Sequence, residues 1–145
     1  MGTVIAVCTS PAKGTQKTNV NEAVFIEDHG IQGDAHAGKW HRQVSLLSYD
    51  KIEEFRARGA DVENGAFGEN LVVQGIDFRS LPVGTRLCCG DVVLEITQIG
   101  KECHHVCQIF QKMGECIMPR EGVFAKVIRG GSISTGDEMQ VAEHE

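Results

Sequence analysis

Glycine sets the first limit on this chain. Seventeen of its 145 residues are glycine, scattered between short apolar runs. A chain punctuated this closely has little room for long helices, and short strands joined by tight turns are what it allows. "TVIAVCTS" reads as a first strand, "NEAVFIEDHGI" as a second extended run, and "RQVSLLS" alternates as a third would. "FGENLVVQGI" follows, then "TRLCCGDVVLEITQIG", which reads as a hairpin turning near Gly90 and Asp91. "GVFAKVIRGG" and "GDEMQVAE" close the chain as strands.

Two stretches break this pattern. "DKIEEFRARG" carries Ile52 and Phe55 on one helical face, Glu53 three residues after Asp50 as in a capping box, and Gly59 where a helix should stop. "HHVCQIFQKMG" spaces Val106, Ile109, Phe110 and Met113 as a second helix would, with Gly114 as its stop. No repeat, linker or low-complexity tract divides the chain. The expectation is one domain over residues 1–145, mainly β, with two or three short helices. Closing its strands into a barrel would remove the exposed sheet edges.

A hydrophobic content of 41% is enough for a packed core without staples, and 23% charged residues is ordinary for a folded domain. A net charge of −6 argues against a nucleic-acid partner, which requires a dense basic face. No stretch reaches the roughly 20 apolar residues of a membrane span. The start "MGTVIAVCTS" lacks the basic head and apolar run of a signal peptide, and Ala6 stands where a myristoylation motif wants Ser or Thr. A reducing cytoplasm is therefore expected, with the six cysteines as free thiols or metal ligands rather than disulfides.

The chemistry concentrates in "GKECHHVC". Cys103 would open the second helix, where the dipole, unpaired amides and Lys101 favour the reactive thiolate. His104 and His105 add possible cations or proton carriers. Cys107 would share the face of Cys103 or pack as a small hydrophobe beside Val106 and Phe110. Alternatively Cys103, His104 or His105, Cys107 and Cys116 make a tetrahedral zinc set, although the paired-cysteine spacing occurs only once. Cys88 and Cys89, adjacent in a strand, should face opposite sides of the sheet, and Cys8 should be core.

A second informative stretch, "GIQGDAHAGKWHRQVSLLS", sets Asp34, His36, Lys39, His41 and Arg42 among Gly30, Gly33 and Gly38. Such a loop suits an anion such as phosphate, with Arg42 as a fork donor; it could equally be a solvated surface loop. "SPAKGTQK", with Lys13, Gly14, Thr15 and Lys17, is a similar, weaker candidate, and Arg120 in "MPREG" a third.

In their order along the chain, "SPAKGTQK", "GIQGDAHAG" with "RQVSLLS", "GAFGENLVVQGIDFRSLPVG", "GDVVLEITQIGKEC" and "MPREGVFAKVIRGGSISTGDEM" resemble the MOSC domain, the module named for the C-terminal part of molybdenum cofactor sulfurase. The resemblance implies a compact β-barrel similar to the barrel domain of pyruvate kinase. It also implies a cysteine, here Cys103, that carries sulfur as a persulfide or ligates molybdenum in the pterin cofactor. The family often has Pro just before that cysteine, where this chain has Glu102. The cofactor's phosphate tail would then fall to the loops around Lys13, Asp34, His36, Arg42, Lys101 and Arg120. No site for pyridoxal phosphate is evident. Molybdenum cofactor biosynthesis proteins or molybdoenzymes would be its partners, in an oligomeric state the sequence does not give. Two other classes stay open: a non-catalytic protein with structural zinc, and a small molybdenum cofactor-dependent oxidoreductase domain that reduces N-hydroxylated compounds.

Overall fold

The computed structural model describes residues 2–11, 17–35, 37–59, 63–65, 67–100 and 122–142. Eleven strands are described: β1 (Gly2–Thr9), β2 (Thr18–Asn19), β3 (Glu22–Ile26), β4 (Gly30–Ile31), β5 (Val44–Ser48), β6 (Leu71–Gln74), β7 (Arg86–Cys89), β8 (Val92–Ile99), β9 (Val123–Arg129), β10 (Gly131–Ser134) and β11 (Glu138–Val141). One helix, α1 (Tyr49–Ala57), and a single turn of 3-10 helix at Phe78–Ser80 complete the described elements. The main sheet runs β11-β7-β8-β9-β5-β6-β1, and a further pairing of β1 with β11 closes it into a seven-stranded barrel. β2 pairs with the end of β1, and β10, β3 and β4 form a separate small sheet. The expected mainly-β barrel is the observed fold.

β5 and β6 are parallel, Leu46 opposite Leu71 and Ser48 opposite Val73, and α1 is the crossover that a parallel pair requires. This explains a departure from the sequence pattern. "VSLLS" does not alternate in burial; every residue of β5 is buried. Leu46 faces the barrel interior with Val7, Leu71 and Val123. Leu47 faces outward into a second cluster with Ala6, Cys8, Val72 and Phe124, closed over by Ile52 and Phe55 of α1. A strand buried on both faces reads as a continuous apolar run.

Three other details differ from the sequence reading. "NEAVFIEDHGI" is not one strand: it folds back on itself, pairing Phe25 with Ile31 and Ile26 with Gly30, with Asp28 at φ 53 in the connecting turn. The capping box is not formed, because α1 starts after Ser48, which makes no side-chain cap, and Asp50 accepts a hydrogen bond from the Gly75 amide instead. "GSIS" is a strand the pattern did not suggest, paired along its length with β3. The helical reading of "HHVCQIFQKMG" falls on residues outside the described ones. The hairpin at Gly90 and Asp91 is as expected, with Cys89 opposite Val92. Cys89 is buried and Cys88 partly exposed, and with Cys8 they are free thiols.

Gly65 is the glycine on which the loop before β6 depends. Its φ is +97°, and a Cβ there would lie 2.1 Å from the Lys17 carbonyl oxygen. Gly33 has φ +82° but open space around it. Gly33→Ala should therefore cost only the positive-φ strain, about 1–2 kcal/mol. Gly65→Ala should cost about 1–3 kcal/mol more, from forced displacement of the chain at Lys17. Urea unfolding of both variants measures the difference; equal losses would mean that the Lys17 contact is not tight.

Candidate functional site

Beyond the end of β1 the barrel wall gives way to a cluster of buried polar groups. Lys17 Nζ lies 2.7 Å from Asp34 Oδ1, and neither side chain is exposed. The same Asp34 oxygen accepts the Ser10 amide at 3.1 Å, and Lys17 also donates to the Ser10 hydroxyl at 3.3 Å. The Ser10 carbonyl in return accepts the Ala35 amide, so the loop carrying Asp34 is stitched to the end of β1 by backbone and side chain together. Charges buried this deeply are tolerated only when paired and hydrogen-bonded.

Glu69 and Asn70 finish the cluster. Asn70 uses its amide as a substitute peptide group: Nδ2 donates to the Cys8 carbonyl, and Oδ1 accepts the Ser45 amide. It thereby ties β1 to β5 where their direct backbone pairing is absent. The fully buried Glu69 accepts the amides of Gly65 and Phe67, at 3.0 Å each, which fixes the turn into β6. Burial pushes its carboxyl up to about 7, against the pull of the Gly65 and Phe67 amides and of Arg56. Burial first, and then the Glu69 charge, pushes the Cys8 thiol up to about 12. Burial and Asp137 push Cys89 up to about 11. Both thiols are neutral at physiological pH, which leaves them poor nucleophiles and poor metal ligands.

Arg42 lies apart from this buried cluster and is partly exposed. Its guanidinium lies 5.0 Å from the centre of the Phe124 ring and donates from Nε to Gln98 Oε1 at 3.0 Å. The two terminal amino groups carry no hydrogen bond or ion pair among the described residues. Gln98 in turn donates through Nε2 to the Gly100 carbonyl at 2.9 Å, and the Gly100 amide donates to the Gly122 carbonyl at 2.6 Å. Both ends of the connection 101–121 are thus pinned together, two residues beyond the side chain that holds Arg42. That connection contains Cys103.

Of the candidate binding residues singled out in the sequence, the structure therefore describes Lys17, Asp34, Lys39, His41 and Arg42, and it places Lys17 in the buried ion pair rather than in an open anion loop. Asp34 is in the buried ion pair; Arg42 is partly exposed on the barrel wall. Lys13, His36, Lys101, Cys103, His104, His105, Cys107, Cys116 and Arg120 lie outside the described residues. Among the described residues no three His, Cys, Asp or Glu side chains cluster as a metal site, and no helix is long and apolar enough to cross a membrane. Sequence reasoning missed the buried pairing of Lys17, the roles of Glu69 and Asn70, and the Gln98 contact. The one signal available was two adjacent polar residues, Glu69 and Asn70, at the mouth of an apolar strand.

A barrel of this topology, with a polar loop before β5 and a long connection between β8 and β9, defines a class. The MOSC domain model matches residues 33–140, and the chain belongs to the MOSC domain family. The YuaD protein of Bacillus subtilis has a similar structure, with a TM-score of 0.82 at 20% identity, covering 100% of this chain and 98% of YuaD. YiiM of Geobacillus stearothermophilus superposes with a TM-score of 0.73 at 16% identity, over 99% of this chain and 76% of YiiM. A fungal protein described as a reductase, from Gibberella moniliformis, is 26% identical over 153 residues, covering 90% of this chain and 27% of the reductase. The chain thus spans about a quarter of the length of that relative.

Two outcomes are expected of the buried cluster. Lys17→Met should cost about 3–5 kcal/mol in urea unfolding, because it removes the ammonium group 2.7 Å from the buried Asp34 carboxylate. Lys17→Met combined with Asp34→Leu should recover a large part of that loss; a double variant no better than the single would contradict this view of the pair. Glu69 has a folded pKa raised above its unfolded value, so the unfolded chain ionises first. The protein is then most favoured, as far as Glu69 is concerned, below about pH 4.5. It loses up to about 3 kcal/mol relative to Glu69→Gln as pH rises to about 7. Parallel stability curves for the two proteins between those pH values would show that Glu69 does not titrate in this way.

Proposed function

We propose that this domain binds the molybdenum cofactor or a sulfurated precursor of it, with Cys103 as persulfide carrier or molybdenum ligand. What carries the reading is Arg42. Its terminal amino groups have no partner among the described residues, although its Nε and its face are fixed by Gln98 and Phe124. A guanidinium held by one edge and one face, with its fork free, is preorganised for an oxyanion such as a phosphate tail. Gln98 places that fork close to the root of the connection that carries Cys103. The family membership supports the same reading, and the donor chemistry fits. A guanidinium suits the phosphate, and a thiolate is the soft donor that molybdenum prefers.

When bound, the cofactor would supply the redox or sulfur-accepting centre. This chain's own residues would bind and orient it: Arg42 at the anionic end, Cys103 at the metal or sulfur end, with Lys13, Lys101 and Arg120 as further cations for the tail. In this reading the domain is a carrier or binding module of the cytoplasm that exchanges its cargo with cofactor biosynthesis proteins or molybdoenzymes. The reductase activity in the name of the fungal relative belongs to a much longer protein.

Arg42→Ala should weaken binding of a phosphate-bearing pterin about tenfold or more while lowering the melting temperature only slightly, since Arg42 lies partly in solvent. Cys103→Ser should abolish retention of persulfide or of the metal, because a hydroxyl is neither soft nor readily ionised. Alkylation mapped by mass, before and after a chelator, separates this from the zinc alternative. Selective reaction of Cys103 near neutral pH agrees with the carrier reading. Equal protection of Cys103, Cys107 and Cys116, lifted together with release of zinc, would sink it.

A further inference from the structure

Three charged side chains are buried among the described residues, and their charges do not balance. Lys17, Asp34 and Glu69 are all withdrawn from solvent. The Lys17 ammonium is committed to Asp34 at 2.7 Å. Glu69 is held by backbone amides instead, Oε2 by that of Gly65 and Oε1 by that of Phe67. From α1, Arg56 pulls on Glu69, but its guanidinium donates to Glu53 and Asn64. On the β1 side Glu69 meets the neutral thiol of Cys8. Two buried carboxyls thus stand against one buried ammonium, and a proton on Glu69 restores the balance.

The turn that Glu69 holds is also a brace. The Gly65 carbonyl accepts the Lys17 amide at 2.8 Å and the Gly68 amide at 3.0 Å. A Cβ on Gly65 would lie 2.1 Å from the Lys17 oxygen and 3.4 Å from the Cys8 Cβ, so the backbone here covers both. Phe67 packs in the same outer cluster as Cys8 and Phe55. An outward movement of this turn would hydrate Glu69, uncover Cys8 and release the Lys17 amide together.

We infer that Glu69 makes the turn around Gly65 and Phe67 a proton-operated latch. With the proton on, the turn stays shut over Cys8 and against Lys17. With the proton off, the carboxylate is drawn to water and the turn opens more often. Burial in the closed turn raises the Glu69 carboxyl to about 7, and hydration in the open turn returns it to 4.5. Opening therefore releases a proton and is favoured as pH rises between those values, levelling off above about 7. None of this depends on which ligand Arg42 takes.

Amide hydrogen exchange of the full-length protein, read by NMR and corrected for the intrinsic rate at each pH, measures the opening. The Gly65 and Phe67 amides should be less protected than those of Val4 and Ile96 in the barrel wall. Their protection should fall about a hundredfold between pH 4.5 and about 7. In Glu69→Gln, which has no proton to lose there, the same two amides should keep level protection, whatever its absolute value. In the wild type, the carbon shift of the Glu69 carboxyl should titrate near pH 7, which ties the fall to this group without a substitution. Exchange of Gly65 and Phe67 at the rate of Val4 and Ile96 would mean that the turn opens only with the whole barrel, and would overturn the latch. Protection that does not change with pH, a fall that persists in Glu69→Gln, or a Glu69 midpoint near 4.5 would overturn it equally.

Discussion

The ion pair between Lys17 and Asp34 is the constraint on which the rest of the molecule depends. At 2.7 Å and with no side-chain exposure, it removes two charges from water, a step that is unfavourable unless every neighbouring group cooperates. The cooperation is visible. The Ser10 amide and hydroxyl join the pair, and the Lys17 amide donates to the Gly65 carbonyl. Glu69 in turn accepts the Gly65 amide. Three loops, before β2, before β5 and before β6, are thereby fixed to one another. The loop before β5 is the one that ends in Trp40, His41 and Arg42.

Strand register carries this order across the wall of the barrel. The Asn70 carbonyl accepts the Cys8 amide and its amide donates to the Ser45 carbonyl, Ser45 pairs with Phe124, and Phe124 pairs with Gln98. Cys8 and Phe124 contribute to the same outer cluster under α1, so this row presents one face. The polar junction stands at one end of it and the Arg42 contact at the other. A side chain held by strands rather than by its own loop can keep a guanidinium fork in place without a ligand, which lowers the ordering cost of binding one.

Much of the barrel was legible in the sequence for simple reasons. The Gly90 and Asp91 turn, the opposite faces of Cys88 and Cys89, and the Ile52 and Phe55 face of α1 ending near Gly59 follow from local periodicity and turn chemistry. What was not legible depended on distance. Lys17 and Asp34 are seventeen residues apart in glycine-rich stretches that look solvated, and only the closed barrel buries them together. Gln98 reads as an ordinary polar position on a half-exposed strand. Its importance comes from residues 56 and 57 positions away. The parallel pairing of β5 and β6 likewise turned an expected alternation into a strand buried on both faces. Arg42 was legible as an anion donor by residue type, but the side chains that orient it were not.

Under the proposed function this MOSC domain holds a molybdenum-pterin or sulfurated cargo, with Arg42 at its anionic end and Cys103 at its metal or sulfur end. Native mass spectrometry with elemental analysis, on protein purified anaerobically from its own host, tests it most directly. The expected result is an intact chain carrying molybdenum with pterin, or an added sulfur mass that localises to Cys103. Stoichiometric zinc with neither molybdenum, pterin nor added sulfur would contradict it.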